Sequence, residues 1–279
     1  MPTLAKVIWG ARCGESARRV LLGETRSRGY AYSVRPRRES ASGREAPHGL
    51  TSSRLVSTIL FDLWVQRWRC KQARGDVIVV RFADDFVVGF QHRIEAERFL
   101  AELRERFTRF GLELHPEKTR LIEFGRYARK NRQDRGGGAP ETFNFLGFTH
   151  SCGKTRKGGF TVLRQTMRTR WQGKLRQLKA ELRARLHEPL PTVGAYLRSV
   201  LFGHVHYYGV PMNGPAIGAF RLAVGRLWWQ VLRRRSQGNH LPWRRMQHLV
   251  ARWLPPAHIC HPYPLVRLGV ITQGGSRMR

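Results

Sequence analysis

Two adjacent carboxylates stand out for the chemistry they could carry. Asp84 and Asp85 follow Arg81-Phe82-Ala83, with Val77-Ile78-Val79-Val80 just upstream and Phe86-Val87-Val88-Gly89-Phe90 downstream. A polar pair between two apolar, β-branched runs reads as the turn of a β-hairpin. Carboxylates placed there bring oxygen ligands close to one point, which suits hard cations such as Mg2+. Ions held in that way stabilise the attacking and leaving oxygens of a phosphoryl transfer. The plainer reading stays open, because Asp is a good turn residue and two in succession need no metal.

The elements that would hold such a turn are legible on either side. Ser52 or Ser53 can cap a helix in which Leu55, Val56, Ile59, Leu60, Leu63, Trp64 and Trp68 share one face, and Gly75 stops it. After the hairpin, a second amphipathic helix turns Ile94, Phe99, Leu100, Leu103 and Phe107 inward. Its outer face mixes Glu97, Arg98, Glu102, Arg104, Glu105 and Arg106, an ordinary solvated pattern. Gly111 ends that helix, a short strand is expected over 119–124, and the basic, Gly-rich stretch 125–139 reads as a flexible loop. Residues 143–148 and 160–163 flank a basic loop as a further hairpin. Helices are then expected over 166–187, 192–208, 215–235 and 242–253, punctuated by Pro189, Pro191, Pro211 and Gly238. Upstream of all this, residues 35–48 are polar, basic and rich in breakers, and read as loop or disorder.

Charge narrows the function classes. The 279 residues carry 51 Lys+Arg against 19 Asp+Glu, a net charge of +32. So large an imbalance repels itself unless an anion offsets it, and nucleic acid is the obvious anion. Only eight of the 51 are lysines. Arginine grips phosphate bidentately and stacks on bases, although codon bias alone can raise it. From residue 141 onward the only acids are Glu141, Glu181 and Glu188, so the excess sits in the helical half. Cys13, Cys70, Cys152 and Cys260 are scattered, which excludes a zinc knuckle or a disulfide framework and fits a reducing, cytoplasmic setting. No apolar run is long enough to span a bilayer, so no membrane partner is expected.

Within the helical half, Arg164, Arg168, Arg170, Lys174, Arg176, Lys179, Arg183 and Arg185 accompany an apolar stripe of Leu175, Leu178, Leu182 and Leu186, with Glu181 as the one counter-charge. This face is a candidate phosphate contact. Arg233, Arg234 and Arg235, with Arg244 and Arg245, form a second candidate patch. Trp171, Tyr196, Tyr207 and Tyr208 could stack on unpaired bases. Trp228, Trp229 and Trp253 read as core. His204 and His206 lack a Cys or acid partner and read as packing or RNA contacts rather than metal ligands.

Several segments together resemble the reverse transcriptases encoded by group II introns. Val79-Val80-Arg81-Phe82-Ala83-Asp84-Asp85-Phe86-Val87 is similar to the family's Y/F-A-D-D motif, with Phe82 where Tyr is frequent. Gly111-Leu112-Glu113-Leu114-His115-Pro116-Glu117-Lys118-Thr119 is similar to the segment that follows the palm helix, and Phe145-Leu146-Gly147-Phe148 to the one that closes the polymerase domain. The resemblance covers about residues 53–270. It implies an α+β fold: a partial palm over 53–150, then an α-helical thumb and maturase region over 151–279, with 1–52 an unassigned leader, disordered or unrelated. It implies that Asp84 and Asp85 hold Mg2+ and that Lys118 lies near the active site, where it could offset phosphate charge; a solvated turn lysine is the equal alternative. It implies structured intron RNA and an RNA template with its DNA primer as partners, and no small-molecule cofactor beyond deoxynucleotides. The family completes its metal site with an Asp on an earlier palm strand. Here the first aspartate is Asp62, mid-helix, and Asp76 opens the hairpin strand itself. The chain is therefore expected to lack the fingers and to be truncated at its start, with impaired polymerisation. A non-catalytic RNA-binding splicing module and a non-functional relic are the alternatives.

Overall fold

The computed structural model describes residues 5–9, 50–82, 85–235 and 241–263, with side chains from Phe61 onward. Its fold is α+β and divides into two compact units, one of Met1–Glu141 with Lys154–Thr161, the other of Thr142–Gly153 with Val162–Arg279.

The first unit is built on the sheet order β2-β3-β1-β4. Strand β1 is Ala5–Trp9, α1 is Leu50–Lys71, β2 is Val77–Phe82, β3 is Asp85–Phe90, α2 is Arg93–Arg109, β4 is Arg120–Glu123 and α3 is Ala128–Asp134. The expected hairpin is present: β2 and β3 pair antiparallel from Val77 opposite Phe90 to Phe82 opposite Asp85. Alternation sends Phe86, Val88 and Phe90 to one face, where they meet Phe61, Val65 and Trp68 of α1 and Phe99 and Leu103 of α2. The rings interlock, with Phe61 4.4 Å from Phe86 and Phe99 about equally close to Trp64, Trp68 and Phe90, at 5.0, 5.1 and 5.0 Å. Burying each such ring contributes about 1.5–3 kcal/mol, so the hairpin is held from the helix side rather than by its turn.

Three expectations change here. The inward stripes are shifted in phase: Phe61 and Ala96 are buried, whereas Leu63 and Ile94 are 66% and 79% exposed. The stretch 125–139 is not simply loop, because Asn131 of α3 and Arg135 just past its end both bond the buried Glu123 carboxylate and hold a short helix against β4. Residues 5–9 of the expected leader form β1, parallel to both β3 and β4. Residues 50–52 open α1, and the rest of the leader, including the basic stretch 35–48, lies outside the described residues.

In the second unit, β5 (Phe143–Phe145), β6 (Phe148–Lys154) and β7 (Phe160–Thr166) form a three-stranded sheet in sequence order. The Phe145-Leu146-Gly147-Phe148 segment is a tight turn rather than one strand. Leu146 and Gly147 have φ of 48° and 77°, both positive as a type I′ hairpin turn requires, and Phe145 faces Phe148 across it. Helices α4 (Arg168–Ala184), α5 (Leu190–Tyr208), α6 (Gly214–Leu232) and α7 (Trp243–Trp253) follow, each within a few residues of expectation. Leu178 and Leu182 of α4 pack with Leu197 and Leu201 of α5, with Phe220, Val224 and Trp228 of α6, and with Met246 of α7. Trp228 is wholly buried, and Trp229 and Trp253 pack against the same core. Buried Asn213 ties the joints together: its Nδ2 donates to Thr166 Oγ1 and to the Tyr208 carbonyl, and its Oδ1 accepts from Thr166 N at 3.0 Å. No helix among the described residues is long and apolar enough to cross a membrane.

Candidate nucleic-acid interface

The hairpin places Asp85 at the start of β3, opposite the exposed Phe82; Asp84 lies outside the described residues. The other carboxylates of the region are engaged elsewhere. Asp62 accepts from Arg81 Nη2 at 2.8 Å. Asp76 precedes the other end of β2, six residues from the turn, or about 20 Å along a strand. The strand beside β3 is β1, Ala5-Lys6-Val7-Ile8-Trp9, which brings no acid. Lys118 sits on an exposed turn just before β4. Arg120 and Val87 both pair with Lys6, so that turn lies at the same end of the sheet as Asp85, two strand spacings or about 10 Å away. A two-metal centre needs carboxylate oxygens converging from more than one strand. Among the described residues Asp85 is the one carboxylate at this turn, and by itself it does not make up such a centre. Among the described residues no group of three or more His, Cys, Asp or Glu converges.

The basic residues sort more sharply. At ~100° per residue, Arg168, Arg176, Lys179 and Arg183 fall within about 80° of the circumference of α4, beside the buried Leu178–Leu182 stripe. They form a line about 22 Å long. All four are exposed, and none pairs with a carboxylate among the described residues. Glu181, the single acid of α4, is taken by Arg185 at 3.6 Å, and Arg185 also reaches Glu188 at 3.2 Å. Helix α2 shows the opposite arrangement. Arg93, Arg98 and Arg109 each pair with a glutamate four residues away, as the sign-mixed face predicted.

Arg170 and Lys174 lie on the other side of α4, where they line a groove with α5. Arg164 does not join either face, because β7 carries it and it is only 7% exposed. The second expected patch also divides. Arg235 bonds the carbonyls of Leu186 and Glu188, closing the end of α6 onto the α4–α5 connection, and so is structural. Arg233 stacks over Trp229 at 5.0 Å and remains exposed, as do Arg234, Arg244 and Arg245. The groove itself went unread in the sequence. Its one signal was Gly173 and Gly203, glycines in mid-helix positions that propensity disfavours by about 1 kcal/mol.

Residues 16–150 match the family of reverse transcriptases (RNA-dependent DNA polymerases). The match takes in α1, the hairpin, α2, β4 and the β5–β6 turn, and it begins well inside the stretch first read as a leader. It leaves out β1, so the strand between β3 and β4 comes from outside the reverse-transcriptase segment. A nucleic-acid template and primer are the ligands this family suggests. No curated protein matches the chain.

Proposed function

We propose that this chain is an RNA-binding protein of the group II intron reverse transcriptase/maturase type, holding intron RNA and an RNA template with its DNA primer through its basic helices. The observation that carries this reading is the line of Arg168, Arg176, Lys179 and Arg183, four cations on one helix face with no carboxylate partner among the described residues. Such a face is self-repelling alone and is stabilised by a row of phosphates. The reverse-transcriptase match immediately upstream makes RNA the favoured polyanion. The Asp84–Asp85 pair supports an affinity for Mg2+, and no further carboxylate converges on Asp85 among the described residues, which favours binding over efficient polymerisation.

The test is filter binding to a structured intron RNA beside primer extension on an RNA template with Mg2+. Salt-dependent retention without extension is the expected result. Extension that Asp84→Ala abolishes would replace this reading with that of a working polymerase. Retention no tighter than that of an unrelated protein would remove it altogether.

A further inference from the structure

The groove between α4 and α5 has a volume of about 660 Å³, within the ~300–1,000 Å³ range of sites that enclose a small ligand. Its walls combine three chemistries. Arg170 and Lys174 stand on one side, and neither has a carboxylate partner among the described residues. Trp171, packed with one side against the core, and Tyr207, 52% exposed, contribute ring surface. Tyr207 is held in place, its hydroxyl donating to the Leu146 carbonyl at 2.9 Å and its ring lying 5.9 Å from Phe148 at 15°. The third is His204, a lining residue only 8% exposed and stacked on Phe220 at 3.7 Å, whose Nε2 is buried and lacks any hydrogen-bond partner in the protein. Gly173 and Gly203 keep the groove clear, since a Cβ at either would meet nothing within 4 Å.

We infer that this groove binds one unpaired nucleotide of an RNA strand, its base stacked on the Trp171 and Tyr207 rings and its phosphate on Arg170 and Lys174. The chemistry of the walls accounts for each part. Every base has a π face and a hydrogen-bonding edge, and stacking on aromatics is how sequence-tolerant sites hold single strands. His204 remains neutral, because burial first and the Lys174 charge second push its pKa down to about 4. The inference rests on the RNA-binding reading but concerns unpaired rather than paired RNA, so the two fail separately.

The test uses the full chain and Gly203→Leu, which extends a side chain into the groove from a position where an added Cβ meets nothing within 4 Å. Binding of labelled oligoadenylate and of an RNA duplex is measured by fluorescence anisotropy. The oligoadenylate Kd should rise about 5- to 150-fold, the equivalent of one stacked base, while the duplex Kd stays unchanged. Gly203→Ala, which leaves the groove open, should bind both as the parent does and confirms that the helix tolerates a side chain there. An unchanged oligoadenylate Kd, or equal losses for both RNAs, would overturn the inference. So would competition by free adenosine monophosphate as effective, per nucleotide, as the strand, because the groove would then be a mononucleotide site. Failure of the parent to bind the duplex, with oligoadenylate still bound, would sink the intron-RNA reading and leave the groove standing.

Discussion

Neutralising Arg168, Arg176, Lys179 and Arg183 to Gln tests the basic face quantitatively. Each phosphate contact contributes about 0.7–0.9 to the slope of log K against log salt. Losing four should flatten that slope by about 3 and lower affinity about a thousandfold at 0.1 M salt relative to a 1 M reference. The fold should not suffer. None of the four side chains has a carboxylate partner to lose among the described residues, and Arg176/Lys179 and Lys179/Arg183 are like-charge neighbours that each cost about 0.2–0.5 kcal/mol. The melting temperature should hold or rise. The control removes the same charge elsewhere: Arg93, Arg98, Arg104 and Arg109 of α2 to Gln. Three of these have i,i+4 glutamate partners, so stability should drop by about 0.3–0.5 kcal/mol per pair while the salt slope stays near that of the parent. Filter binding to structured RNA over a salt series, with thermal melts, gives both readouts. If the two quadruple variants flatten the slope equally, only net charge matters and the face has no special role.

Two glycines of the same helix should respond with opposite signs. A Cβ at Gly194 would sit 2.4 Å from Trp253 Cδ2, so Gly194→Ala should cost about 1–3 kcal/mol in urea unfolding despite alanine's better propensity. Gly203→Ala meets nothing and should gain up to about 1 kcal/mol. Asn213→Leu leaves the Thr166 N–H without its acceptor and removes the bonds to Thr166 Oγ1 and the Tyr208 carbonyl, and should cost about 1–3 kcal/mol, visible as a lower urea midpoint. His204 makes stability pH-dependent. Its folded pKa, about 4, lies below the ordinary 6.5, so the unfolded chain takes the proton first. The contribution is full above pH 6.5, declines as pH falls from 6.5 to 4 and changes no further below that. Denaturation at pH 7 and 4.5 should show this loss in the parent and not in His204→Phe, which keeps the stack on Phe220.

The parts of this protein that were legible in its sequence are those in which neighbours along the chain set the outcome. The hairpin around Asp84–Asp85, the helices of the basic half and the sign-mixed face of α2 all follow from local period and charge. Phase errors at Leu63 and Ile94 arose where an extra apolar residue at the stripe's edge left two assignments open, and packing against Phe86 and Phe99 decided between them. The turn at Leu146-Gly147 was hidden because a bulky residue rarely takes positive φ; the Tyr207 hydroxyl on the Leu146 carbonyl helps hold it. Long-range placement was not legible at all. Five residues, Ala5–Trp9, carry no periodic signal, yet they enter the sheet because β3 and β4 leave two unpaired edges that a short β-branched segment can satisfy on both sides at once. The same limit applied to function. The cations of α4 could be counted from the sequence, but whether they were paired could not. That distinction separates a solvated face such as α2's from one left for phosphate, and it depends on where Glu181 and Glu188 point. In the fold both glutamates are drawn to Arg185, which leaves Arg168, Arg176, Lys179 and Arg183 without a carboxylate partner among the described residues. One arginine at the end of the helix thereby sets the sign of the whole face.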